Sequence, residues 1–261
     1  MQIVELRMIN YEVWKDITRL YRLDPITHAY LMYDLVYELE RSNVYFALSD
    51  SHIVGYLLLW EGRNLGVHVW GNAEGLVRYI PLDKPMVVQL YNEEFLNLVL
   101  DRLRCREDHA LVRYYLDMTV DSEGFKPYIL ENVRKLDVKD VDSYVELKRL
   151  QGLSLTREEA IDRLKRWRYY GVFINDKLVS IACAYLKLNE VWVIGEVYTH
   201  PEFRGMGYAK AVTSAVTEDA VRCGAKAYLH VNEDNLSAIR AYKALGYNIV
   251  NKRPWIFYKA H

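Results

Sequence analysis

Apolar and polar positions change period repeatedly along this chain. YFAL at 45–48, IVGYLLLWE at 53–61 and GVHVWG at 66–71 are short runs rich in β-branched and aromatic residues, and they predict three strands. VFIN at 172–175, LVSIACAYL at 178–186 and VWVIGEVYT at 191–199 predict three more. Each set carries a polar turn after its first strand, DSH in one and NDK in the other. The sets lie roughly 125 residues apart, too far for a solenoid repeat. Each is preceded by a segment that places a strand before a helix, IVELRMINYEVWKDITRLYR at 3–22 and LENVRKLDVKDVDSYVELKR at 130–149. The pattern predicts a mixed α/β fold built as two copies of one domain, 1–125 and 126–261, joined at the turn-rich DSEGFKP of 121–127.

Helix signals are sharpest in the second half. TREEAIDRLKRW opens with Thr156 and Glu159 at capping-box spacing. Its end, KRWRYY, mixes basic and aromatic residues, which a helix C-terminus favours through its dipole without any nucleic acid. YAKAVTSAVTEDAVRCG carries a stripe of Ala211, Val212, Ala215, Val216, Ala220 and Val221 and stops at Gly224. AKAYLHV predicts the next strand, and NLSAIRAYKALG a helix ending at Gly246. YNIV and WIFYK predict a closing hairpin around NKRP.

The charge balance is even, with 34 basic against 35 acidic residues. No global field draws nucleic acid or an anionic membrane, so neither is an expected partner. Cys105, Cys183 and Cys223 form no CxxC pair, which argues against a zinc ribbon or a disulfide framework and for a reducing cytoplasm. The start, MQIVELRM, has no signal-peptide pattern, and the longest apolar run, IVGYLLLW, is too short to span a bilayer. A soluble, cytoplasmic protein is expected. His28, His52, His68, His109, His200 and His261 show no ligand spacing, so no metal is expected.

One bare stretch, HPEFRGMGYA at 200–209, joins a predicted strand to a long predicted helix. A helix N-terminus exposes unpaired N–H groups and positive partial charge, and glycines let an anion approach them. The Walker A pattern fails, because GYAK stands where GK and a hydroxyl residue are needed. The dinucleotide pattern fails at Lys210, where a third glycine belongs.

Arg204, Gly207 and Ala209 fit the spacing Arg/Gln-x-x-Gly-x-Gly/Ala. This resembles the coenzyme A loop of the GNAT superfamily, the Gcn5-related N-acetyltransferases. THPEF before the loop and LHVNEDNLSAIRAYKALGY after it are similar to the family's flanking elements in the same order, so the resemblance covers roughly residues 126–261. The first half has NAEGLVRYIPL after VHVWG and lacks the loop. A degenerate copy ahead of an intact one resembles the glycine-N-acyltransferase-like branch, as does the wording of VYTHPEFRGMGYA. The resemblance implies tandem GNAT-like domains on an α+β mixed sheet, the N-terminal copy without coenzyme A binding and the C-terminal copy catalytic.

It also implies a reaction: direct attack of a primary amine on acetyl-CoA, or another acyl-CoA, in a ternary complex. Backbone amides of Gly205, Met206, Gly207, Tyr208 and Ala209 would hold the pyrophosphate, helped by Arg204. The backbone of Val197, Tyr198 and Thr199 would align the pantetheine arm like an added strand, and an N–H near Val197 would polarise the thioester carbonyl. Asn235 and Ser237 match positions that touch the cofactor or cap the following helix. Tyr242 occupies the family's general-acid position, with helix packing as its alternative role. His230 is the first candidate base, against a structural strand histidine, and Glu196 is the rival base, against an ordinary solvated carboxylate.

The acceptor would lie near GLSLT at 152–156 and the closing hairpin. The LHV context points to protein N-termini, while the short NKRP stretch points to a small amine or an amino acid. Both remain open, as does the oligomeric state. A function of another class, a non-catalytic coenzyme A-thioester sensor or scaffold, would need the loop but neither Tyr242 nor His230.

Overall fold

The structure is a computed structural model that describes residues 1–103 and 110–260. Cys105, His109 and His261 lie outside the described residues. The first copy runs β1 (Gln2–Glu5), α1 (Tyr11–Leu23), α2 (Ala29–Tyr37), β2 (Ser42–Ser49), β3 (His52–Glu61), β4 (Leu65–Gly71), β5 (Met86–Leu90), α3 (Leu96–Arg102) and β6 (Ala110–Val120). The second runs β7 (Val133–Lys135), α4 (Val141–Leu150), α5 (Arg157–Arg166), β8 (Arg168–Ile174), β9 (Lys177–Lys187), β10 (Val191–Thr199), α6 (Tyr208–Arg222), β11 (Lys226–Asn232), α7 (Leu236–Ala244) and β12 (Asn248–Tyr258).

The two element orders match, with one gap. Between β4 and β5 the first copy has only a short 3-10 turn at Val77–Tyr79, where the second has the loop and α6. Both β2–β3 and β8–β9 are antiparallel hairpins closed by two left-handed residues, Asp50–Ser51 and Asn175–Asp176. Two consecutive positive φ values make a type I′ turn, whose twist matches that of the flanking strands. Asp and Asn tolerate that region best after glycine. In both copies the next junction is parallel, β4 with β5 and β10 with β11.

The compact units do not follow the expected border at 125/126. One comprises Met1–Leu116 together with Asn251–His261, and the other Asp117–Val250. The cause is the closing segment. No hairpin forms at NKRP, and β12 runs unbroken from Asn248 to Tyr258. Asn251 and Pro254 would both suit a turn, but pairing of the following residues with β5 holds the segment extended, and proline's fixed φ is compatible with that. Trp255–Tyr258 pair antiparallel with β5, and Ile256 and Tyr258 enter the first unit's core with Leu57, Val67, Met86 and Val88. A second cluster of that unit seats Val13, Ile17 and Leu20 of α1 on Phe46, Tyr56 and Leu58.

In the second unit, Tyr144 and Leu147 of α4 and Ala160 and Leu164 of α5 pack on Tyr169, Ile181 and Cys183. Thr156 and Glu159 form the predicted capping box, at 3.1 Å and 2.7 Å. The basic-aromatic segment KRWRYY is not all helix. α5 ends at Arg166, Trp167 is extended, and Arg168–Tyr170 begin β8 against β9. There Arg168 and Tyr170 both bind Asp219 of α6, at 2.7 and 2.9 Å. The segment therefore fastens α6 to the sheet. Among the described residues no helix is long and apolar enough to cross a membrane.

Candidate active site

β10 and β11 pair from Val191↔Lys226 to Ile194↔Leu229 and no further among the described residues. Beyond Ile194, β10 pairs with β9 alone, and between Gly195 and Tyr198 it gains one residue on its partner. This is a β-bulge, which bends a strand and ends pairing where a site needs room. Glu196 sits in it with φ +52°. Residues 195–199 therefore turn an unpaired backbone edge toward the gap between the strands.

The loop and α6 follow directly. Gly205 and Gly207 both have φ +80°, and Gly207 is the N-cap of α6. Ala211 N–H donates to Gly207 O at 3.0 Å, the first helical bond. The amides of Tyr208, Ala209 and Lys210 stand outside that ladder, and the N-cap glycine has no side chain to cap them. A Cβ on Gly207 would meet Tyr128 Oη at 2.9 Å, whereas one on Gly205 would meet open space. Tyr128 is itself fixed. Its N–H donates to Ser214 Oγ at 2.8 Å, and Lys210 Nζ lies 3.6 Å from its ring centroid. Arg204 Nε donates to Thr199 O at 3.3 Å, which holds the guanidinium beside the strand end.

These pieces enclose a cleft of about 560 Å³. Val197, Tyr198, Thr199, Arg204, Gly205, Gly207, Tyr208 and Ala209 line it, with Asn235, Ser237 and Tyr242 of the following helix. Met206 does not line it; set between two left-handed glycines, its side chain is 55% exposed. Phe203, Lys210, Ala238 and Ala241 also line it, and the motif spacing did not single them out. Lys210, in the first turn of the helix, was legible only as a failed glycine. With Arg204 and the α6 N-terminus it makes this end of the cleft cationic.

Asn235 caps α7, accepting from Ala238 N–H at 3.2 Å, and Ser237 Oγ donates to Asn235 Oδ1 at 3.1 Å. Tyr242 is buried, and burial pushes its phenol up to about 12. The group therefore stays a proton donor at neutral pH.

His230 does not line the cleft. It is the first residue of β11 past the last pair with β10, at the point where the strands part. Strand alternation puts Tyr228 and His230 on one face, and their rings lie 4.6 Å apart. His230 Nδ1 is 2.7 Å from Asp117 Oδ1, with 6% and 0% of the two side chains exposed. Asp117 was not anticipated from sequence, although a carboxylate inside the strand-like LVRYYLDMTV is itself a signal.

Glu196 is neither a free base nor a solvated carboxylate. Its oxygens bind Lys148 Nζ at 2.7 Å and Arg163 Nη1 at 3.1 Å and accept the Tyr169 hydroxyl. Burial alone would raise its pKa, but Lys148, Tyr169 and Arg163 together outweigh burial and hold the carboxyl below the usual glutamate value. A carboxylate so stabilised is a poor proton acceptor, so the geometry argues against Glu196 as the rival base. Among the described residues no group of three or more His, Cys, Asp or Glu side chains is arranged to hold a metal.

Residues 141–247 match the model of the acetyltransferase (GNAT) family, and every residue lining the cleft lies within that segment. No curated protein matches the chain in sequence. Among solved structures, a Drosophila protein shares 14% identity at a TM-score of 0.68, over 94% of this chain and 87% of its own. A GCN5-related N-acetyltransferase-like protein from Streptococcus suis shares 16% at 0.62, over 95% and 100%. A tandem GNAT protein from the clavulanic acid biosynthesis pathway shares 13% at 0.58, over 98% of both chains. Residues 141–247 thus resemble a GNAT-family domain, and the chain has a GNAT-like mixed α/β fold. Family and fold support an acyl-CoA-dependent N-acetyltransferase as the kind of activity.

Proposed function

We propose that the protein transfers an acyl group from acetyl-CoA, or another acyl-CoA, to a primary amine by direct attack in a ternary complex. One observation carries the reading: a single cleft holds the unpaired edge of β10, two left-handed glycines at an uncapped helix N-terminus, and the buried phenol of Tyr242. The amides after Gly207, with Arg204 and Lys210, suit a pyrophosphate. The open edge from Val197 to Thr199 suits an extended amide arm.

In this reading the Val197 N–H polarises the thioester carbonyl as negative charge develops on it. His230 accepts the proton from the attacking amine, and Tyr242 donates one to the departing thiolate. The first unit, which has a short 3-10 turn where the second has its loop and helix, takes no coenzyme A. The acceptor is a primary amine, either a small amine or amino acid or a protein N-terminus.

The test needs no knowledge of the acceptor at first. Acetyl-CoA at about a hundred times its dissociation constant should add about 2.7 kcal/mol to the folded state. Gly207→Glu should remove that effect. Screening glycine, alkylamines and short peptides for thiol release then finds the acceptor. Tyr242→Phe should keep acetyl-CoA binding and lower turnover about a hundredfold. Binding without turnover on any amine would favour a coenzyme A-thioester sensor. No binding at all would end the proposal.

A further inference from the structure

We infer that Asp117 is the positioning residue for His230, holding its imidazole in the one tautomer that can take a proton from an amine. The inference rests on the acyltransferase reading for its catalytic meaning, but its structural core stands on the geometry alone.

Asp117 lies near the end of β6, and His230 lies where β11 leaves β10. The Asp117 side chain is wholly buried, and its Oδ1 is 2.7 Å from His230 Nδ1. Tyr228 Oη also approaches Nδ1, but at 3.4 Å, so the carboxylate is the closer partner. An ionised carboxylate only accepts, so the ring nitrogen facing it carries the proton. Neutral imidazole has one N–H, so Nε2 is left with its lone pair. The ring cannot turn over without breaking a short, buried, charge-assisted bond.

The proton that leaves the amine and the one that reaches the sulfur each have a place in this arrangement, and exchange with water afterwards takes the proton from His230 and returns one to Tyr242. The amine nitrogen bonds to the thioester carbon, and the N–H proton it sheds goes to Nε2. The carbon–sulfur bond breaks, and the thiolate takes the Tyr242 proton. Transient imidazolium then has the buried Asp117 carboxylate beside its other N–H. A histidine free to adopt either tautomer would present a donor to the amine part of the time and would have no counter-ion when charged. The residue that removes both problems comes from β6, about 110 residues before its partner and outside the GNAT-family segment, a separation that no motif reading crosses.

The test begins with ¹⁵N-labelled histidine in the whole protein. Nitrogen shifts should report the neutral His230 ring as protonated on Nδ1 and unprotonated on Nε2. Asp117→Asn is nearly isosteric and should turn this into a mixture or reverse it, because an amide can also donate to Nδ1. The same variant should bind acetyl-CoA within about twofold of the parent. Its kcat on the amine found by thiol release should fall about a hundredfold with little change in KM. A wild-type ring protonated on Nε2 would overturn the inference, and that measurement stands even if the variant fails to fold. So would an Asp117→Asn enzyme with unaltered kcat. Failure of the wild-type protein to bind acetyl-CoA would instead sink the acyltransferase reading while leaving the tautomer result intact.

Discussion

The ammonium of Lys148 lies 2.7 Å from the Glu196 carboxylate, with no part of the lysine side chain exposed. A buried cation whose partner is removed keeps its desolvation cost and loses its compensation. Glu196→Gln should therefore destabilise the second unit by about 3–5 kcal/mol, read as a lower urea midpoint. The same cluster over-determines the left-handed backbone at the bulge, so the variant should also weaken acetyl-CoA binding. A stability change below about 0.5 kcal/mol, the range of ordinary surface substitutions, would show that the pair is incidental.

Tyr242 gives a pH prediction whose sign follows from burial. Its phenol is raised to about 12 in the fold, against about 10 in the unfolded chain. The unfolded chain loses this proton first, so the contribution to stability is whole below about pH 10 and is lost as pH rises toward 12. In turnover the group remains an acid, and kcat should show no alkaline limb from it below about pH 11. A limb near pH 8–9 that disappears in Tyr242→Phe would contradict this.

Gly205 and Gly207 share a φ of +80° but not a neighbourhood. Alanine at either costs about 1–2 kcal/mol of backbone strain. At Gly207 the added methyl must also push against Tyr128 Oη, so the loop has to move. Gly207→Ala should weaken acetyl-CoA at least tenfold more than Gly205→Ala, by calorimetric titration. Tyr128→Phe, which removes the contacting oxygen, should recover part of that loss. Equal losses at the two glycines would mean that Tyr128 plays no part.

What the sequence revealed and what it hid divide along range of interaction. The hairpin turns at Asp50–Ser51 and Asn175–Asp176, the box of Thr156 and Glu159, and the glycine loop are set within a few residues, and each was legible. Glu196 was misread because its partners, Lys148 and Arg163, sit more than thirty positions upstream on two helices. Asp117 was missed for the same reason. KRWRYY kept its helical charge pattern, yet Arg168 and Tyr170 found Asp219 in α6 and became strand. The NKRP segment was read as local turn chemistry, when pairing of β12 with β5 decides its course.

That pairing makes the last prediction. Residues from Asn251 onward belong to the first unit, where Ile256 is fully buried and Tyr258 nearly so. Each buried side chain of this size contributes about 1.5–3 kcal/mol, and a whole domain is stable by only about 5–15. A chain ending at Val250 should therefore lose the first unit, with rapid hydrogen exchange across β4 and β5. Adding a peptide of residues 251–261 should restore protection there. A truncated chain with parental exchange in β5 would show that the strand is dispensable. Conversely, a fragment of residues 1–125 made alone should fail to fold, and one supplied with the 251–261 peptide should gain structure.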